Sequence, residues 1–283
     1  MARIAESSVV VALRDFQWKI AESENRNPDL FLSLSGNTDK KLGDVKFGLG
    51  ETFLLIEAKS TSATIKQEWD RGKKRGRKHA HLKTRLIIEG ISTKNENYEK
   101  LLDQSLSAHH FFYHIYDSGK HFIAAEPYIL GTSRRGGYAE HPLNAEPGIN
   151  PRTETERKRL IKGLENVSEF EIVENATQLR VEYTTMQNIY GDAIKISRKS
   201  QLGWPLSMGL PLSEFQEYVD YLCDGTDEDI ESLITTRSGL LLLFSGKTSQ
   251  LHQLVRRFKS HEMTNSLETG LELHKKKRNN DPT

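Results

Sequence analysis

The residues best equipped for chemistry fall in one short stretch, Leu42-Gly43-Asp44-Val45-Lys46-Phe47-Gly48-Leu49-Gly50-Glu51-Thr52-Phe53-Leu54-Leu55-Ile56-Glu57-Ala58-Lys59. Two carboxylates, Asp44 and Glu57, and one ammonium, Lys59, flank apolar runs, and Gly48 and Gly50 supply a turn signal between two strands. With the turn centred on Gly50-Glu51, antiparallel partners sum to a constant and Asp44 falls opposite Glu57. Strand alternation then sets Leu55, Glu57 and Lys59 on one face. Charges persist beside a run such as Phe53-Leu54-Leu55-Ile56 when they are paired with one another or hold a metal.

The elements that must position these groups are read from periodicity. Val9, Val10, Leu13, Phe16 and Ile20 recur at helical spacing and predict an amphipathic helix over 5–24. Asn27-Pro28 ends it, because a proline disfavours helical geometry in the residue before it. Asp29-Leu30-Phe31-Leu32-Ser33-Leu34 predicts a first strand, and the Asp44–Lys59 hairpin follows. Residues 62–80 predict a helix. Phe111–Tyr116 and Phe122–Leu130 predict strands on either side of the Asp117-Ser118-Gly119 turn.

An aspartate, about a dozen residues, then Glu-x-Lys closing an apolar strand, in the order helix, three strands, helix, strand, resembles the PD-(D/E)XK nuclease superfamily. The resemblance covers roughly the first 130 residues. It implies an α/β (α+β) fold: a restriction-endonuclease-like core with a central mixed sheet flanked by helices, joined here by a smaller α+β C-terminal lobe. It also implies metal-dependent hydrolysis of DNA phosphodiester bonds. Asp44, Glu57 and the backbone carbonyl of Ala58 would be hard oxygen ligands for Mg²⁺ or Mn²⁺, and Lys59 would orient or activate the attacking water. Asp29 follows Pro28 and matches the superfamily's name literally. In a three-strand meander, however, Asp44 and Glu57 share one end of the sheet while Asp29 begins the first strand at the other, so Asp44 is preferred and Asp29 reads as a turn residue. Some superfamily members add a glutamate from the first helix. Glu6 is the candidate here, with Glu22 and Glu24 as alternatives, against its plainer role as a favourable acidic residue in a first turn.

After the Glu-x-Lys, Lys66, Arg71, Lys73, Lys74, Arg75, Arg77 and Lys78 form a basic run broken by Gly72 and Gly76. Such a run would neutralise phosphates along nucleic acid, or would simply be a solvated face. Gln67 in the same segment is a weaker candidate to face the site. His79/His81 and His110/His114 lack an evident third zinc ligand. Gly131–Gly137 lacks the Gly-Lys-Ser/Thr of a phosphate-binding loop, and its Arg134 and Arg135 are candidates to touch DNA.

At 283 residues the chain has room for such a core and a second lobe. Net charge is +1, so nucleic-acid affinity has to come from local patches. Mean hydropathy is −0.60, and no apolar run approaches the length of a membrane span. The single cysteine, Cys223, excludes an intramolecular disulfide and fits a reducing compartment; with no signal-peptide pattern, a cytoplasmic location is expected. Composition shifts to Gly, Pro, Arg and Asn over 131–157, which suggests a core over 1–135, a linker or long loop over 136–157, a C-terminal lobe over 158–270 for substrate or partner recognition, and a disordered tail over 271–283. Within the lobe, Glu156–Glu165 and Leu212–Cys223 predict helices and Phe170–Val173, Leu179–Tyr183 and Ala193–Ile196 short strands. Ile230–Phe244 reads as helical, with Leu240–Phe244 equally readable as a strand, and 249–259 as a basic helix.

The expected activity is therefore a metal-dependent DNA endonuclease, in restriction, anti-phage defence or mobile-element processing, acting as a homodimer or within a multi-protein complex and not on a membrane. The alternatives are a catalytically silent nucleic-acid-binding module, or a nuclease subunit active only with its partners.

Overall fold

The computed structural model describes residues 5–25, 31–35, 45–49, 52–70, 79–138, 153–174, 179–190, 194–199, 201–227, 229–235, 241–247 and 250. Helix α1 (Glu6–Ser23) forms where the four-residue apolar spacing predicts it and buries Val9, Leu13, Gln17 and Ala21. Strands β1 (Phe31–Ser35), β2 (Val45–Leu49) and β3 (Thr52–Lys59) follow as an antiparallel meander. Val45 pairs with Ile56 and Leu49 with Thr52, the register that the sequence predicts for this hairpin. Asp44 and Asp29 lie outside the described residues.

After β3 the chain makes a 3₁₀ helix (Ser62–Glu68), opened by a reciprocal capping interaction between Thr61 and Thr64. The start of the helix expected over 62–80 is thus a 3₁₀ turn; residues 71–78 lie outside the described residues, and α2 (His79–Ile91) follows them. Helix α3 (Glu96–Ala108) then returns the chain to β4 (His109–Asp117), which lies parallel to β3. Strand β5 (Lys120–Pro127) pairs back on β4 through a two-residue turn, Ser118 (φ 48°) and Gly119 (φ 81°). Two positive φ angles match the twist of the flanking strands, and glycine adopts one at no steric cost. The strand expected to reach Leu130 ends at Pro127, where the chain enters α4 (Tyr128–Arg134). Proline lacks the N–H that would continue the ladder, but suits the entry to a helix.

Beyond residue 153 the chain forms α5 (Glu154–Ser168), β6 (Phe170–Glu174), β7 (Leu179–Val181), β8 (Thr184–Thr185), α6 (Met186–Tyr190), β9 (Ile194–Arg198), β10 (Gln201–Ser207), β11 (Leu210–Pro211) and α7 (Leu212–Leu222). Strands β12 (Asp229–Thr235) and β13 (Leu241–Lys247) then form an antiparallel pair, so the described residues of Ile230–Phe244 are strand and not the expected helix, and from Leu241 on the strand reading of Leu240–Phe244 is the one the chain adopts. Short apolar runs do not distinguish the two states, and long-range pairing of β12 with β1 decides this one.

Among the described residues the main sheet has the order β13-β12-β1-β2-β3-β4-β5-β8, with β11 beside the start of β3, and a second sheet runs β10-β9-β6-β7. The fold is mixed α+β, with a mixed central sheet flanked by helices. Strand β3 lies inside the main sheet and is buried from Phe53 to Lys59. Its even residues, Leu54, Ile56 and Ala58, pack with Val9 and Leu13 of α1. Its odd residues begin apolar, with Phe53 and Leu55 in a core shared with α2, α3 and α7. Helix α5 joins that core from the far side of 136–157: a Cβ added at Gly163 would stand 1.8 Å from the carbonyl oxygen of Ile88, so the close approach of α5 to α2 requires glycine there. Among the described residues no helix is long and apolar enough to cross a membrane.

Candidate active site

The odd face of β3 changes character at its C-terminal end. Glu57 and Lys59 follow Leu55 with only 1% and 3% exposure, and they are in direct contact, Lys59 Nζ donating to Glu57 Oε1. The same Lys59 Nζ lies 2.9 Å from Oε1 of Glu68, which is fully buried at the end of the 3₁₀ helix. One ammonium therefore bridges two sealed carboxylates. Such groups stay charged in a dry interior only through this kind of pairing.

A fourth residue fixes the arrangement. Tyr128, at the start of α4, donates its hydroxyl to Glu68 Oε2 at 3.0 Å. Its ring stacks on His109 at 4.2 Å and on Phe111 at 4.5 Å, and Phe111 is the β4 partner of Glu57. Burial raises the Tyr128 phenol well above its ordinary value and the nearby Glu68 carboxylate adds to this, so the hydroxyl remains a donor. Strands β3 and β4, the 3₁₀ helix and α4 each contribute to the constellation.

On the same face, Glu126 of β5 pairs with Phe111 from the other side and is 1% exposed. Arg135 meets it at 2.7 Å and Arg134 at 3.6 Å. Burial raises the Glu126 carboxyl and the two guanidinium groups oppose the shift. Tyr113, the β4 partner of Lys59, lies 6.0 Å beneath the Arg135 guanidinium, and burial raises its phenol. Helix α4 packs so closely that a Cβ at Gly131 would stand 2.9 Å from Glu126 Cδ and 3.0 Å from the Phe111 ring.

The structure thus brings Glu57 and Lys59 together, with Ala58 between them turned to the opposite face. Glu6 is exposed in the first turn of α1, the helix that covers that opposite face, and it does not join them. Of the basic run, Lys66 is exposed, while Arg71, Lys73, Lys74, Arg75, Arg77 and Lys78 lie outside the described residues. Gln67 is exposed and its neighbour Glu68 points inward instead. Ile65 and Glu68 stand three positions apart and share a face in a 3₁₀ or an α-helix alike, so the apolar Ile65 marks Glu68 as inward-facing. Arg134 and Arg135, candidates for DNA contact, are engaged with Glu126. His110 is buried while His114, on the same face of β4, instead meets His121 with 2.7 Å between ring nitrogens.

The oxygen donors present suit a hard dication such as Mg²⁺ or Mn²⁺. Among the described residues no three His, Cys, Asp or Glu side chains gather as a ligand set, and Asp44 lies outside those residues. Comparison of the chain with protein-family models, with curated proteins and with solved structures returned no match.

Proposed function

We propose that this chain is a divalent-metal-dependent DNA endonuclease with a restriction-endonuclease-like core of the PD-(D/E)XK type. The observation that carries the reading is the meeting of Glu57 and Lys59, from alternate positions of one interior strand, at the end of an otherwise apolar face. The order α1-β1-β2-β3, helices, β4 and the parallel pairing of β3 with β4 support it, as does the β2–β3 register. In this reading that register continues one residue further and sets Asp44 against Glu57. Asp44, Glu57 and the Ala58 carbonyl would hold the metal, and Lys59 would orient the attacking water and stabilise negative charge developing on the phosphate. A bound Mg²⁺ or Mn²⁺ would supply charge neutralisation at the phosphoryl oxygen and a water of lowered pKa. Work in restriction, anti-phage defence or mobile-element processing follows by analogy of type alone.

The test is cleavage of plasmid and linear DNA with Mg²⁺ or Mn²⁺, comparing Asp44→Ala with Asp29→Ala. The reading expects the first variant to be inactive and the second to cut. An inactive Asp29→Ala beside an active Asp44→Ala would move the metal ligand to the other strand end.

A second reading is favoured by the near-complete burial of Glu57, Lys59 and Glu68. In it the chain binds nucleic acid without cutting, or cuts only when a partner opens the site. Salt-sensitive DNA binding without cleavage at any divalent concentration would select it.

A further inference from the structure

We infer that Glu68, held by Tyr128, is the acceptor to which Lys59 shifts its ammonium when a divalent cation is taken up at Glu57; this rests on the nuclease reading above. Glu68 is then a positioning residue for the lysine and not itself a ligand of the metal.

Metal uptake would set up a conflict at Glu57. Its Oε1 is in contact with the Lys59 ammonium, and a dication bound to the same carboxylate would meet that ammonium as a like charge a few ångströms away. Within a buried site, such repulsion is screened far less than in water. Lys59 has to move off Glu57, yet a buried ammonium that leaves one carboxylate needs another.

Glu68 Oε1 already stands 2.9 Å from Lys59 Nζ on its other side. The lysine side chain is a flexible stem with a compact head and three rotatable donors, so its transfer needs only side-chain rotation. An arginine fork would resist it.

Glu68 is held ready for this role. Tyr128 occupies its Oε2, which leaves Oε1 turned to the lysine. The Tyr128 ring is stacked on both His109 and Phe111. Ile65, one 3₁₀ turn before Glu68, packs in the same small core as Tyr128 and Phe111. Both the carboxylate and the hydroxyl that orients it are therefore fixed, and the lysine is the movable member.

The test measures Mn²⁺ affinity of the full chain by titration calorimetry for wild type, Lys59→Met, Glu68→Gln and the double variant. Lys59→Met removes the competing cation and should tighten Mn²⁺ about tenfold. Glu68→Gln should weaken Mn²⁺ about tenfold while Lys59 is present, and at most about threefold in the Lys59→Met background, where only the lost charge acts through space. Equal factors in both backgrounds would make Glu68 a ligand or a bystander charge, and would overturn the inference. An unchanged affinity in Glu68→Gln would do the same.

A second readout works even if Lys59→Met does not fold. The side-chain ¹⁵N signal of Lys59, assigned with Lys59→Arg, should shift on Mg²⁺ addition in wild type. An unmoved signal while Mg²⁺ binds would overturn the transfer. Absence of Mn²⁺ binding in every variant, Lys59→Met included, is the separate result that would overturn the metal-site reading itself.

Discussion

The sheet face that carries Glu57 also carries Glu126, with Phe111 between them in register, and the two carboxylates are handled in opposite ways. At Glu57 one lysine is shared between two carboxylates, and all three groups are sealed from solvent. At Glu126 two arginines serve one carboxylate, with their side chains about a quarter exposed. Lysine is a mobile point charge, while arginine is a rigid fork that binds carboxylates at two points. In the proposed reading the Glu57 centre rearranges around an incoming cation, while the Glu126 centre fastens α4 to β5. Tyr128, in the first turn of α4, ties the fastened part to the movable one.

The largest expected effect that would break this contrast is at Glu126. Glu126→Ala leaves two arginines facing a buried space, and about 3 kcal/mol of stability should be lost in urea denaturation. Folded protein should still cut DNA. A variant of wild-type stability that no longer cuts would reverse the roles of the two centres.

Gly131→Ala probes the same fastening by shape. Its Cβ would stand 2.9 Å from Glu126 Cδ. A loss of about 2 kcal/mol is expected, by the same measurement, because the buried carboxylate and the Phe111 ring have little room to give way.

His110 sharpens the contrast from the other face, where it pairs with Ile56. Burial, with His109 beside it, lowers its pKa from the ordinary 6.5 to about 3. The unfolded chain then takes up a proton as pH falls through 6.5 while the folded chain does not until near 3. Its contribution is complete above 6.5 and is lost progressively below it, by about 2 kcal/mol at pH 5. The stability difference between pH 7 and pH 5 should shrink by about that amount in His110→Asn.

The smallest effect is at Tyr128. Tyr128→Phe keeps both ring stacks and removes one donor from Glu68, which should cost about 1 kcal/mol. A cost several times larger would make Tyr128 part of the scaffold and not the link between the two centres.

Local pattern made part of this legible in the sequence. The glycines and flanking apolar residues of the β2–β3 hairpin specify its register, and alternation alone sets Glu57 beside Lys59. The spacing of Val9 and Leu13 specifies α1. What stays hidden depends on contacts distant in the chain. The role of Glu68 rests on Lys59 and Tyr128, which only the tertiary fold brings to its two oxygens. Glu126 read as one more residue of an apolar strand, because its arginines arrive from a segment that reads as a glycine-rich loop. Leu240–Phe244 is readable as a strand, but β12 is not, because Leu233 and Ile234 fit a helix as well as a strand until β1 supplies the neighbour.

The most direct test of the account is nicking of supercoiled plasmid with Mn²⁺ by wild type and by Glu57→Ala, each first shown to be folded. Wild type should nick in a metal-dependent way, with nicking at least about a hundredfold lower in the variant and abolished by EDTA. Equal nicking by the two proteins would contradict it.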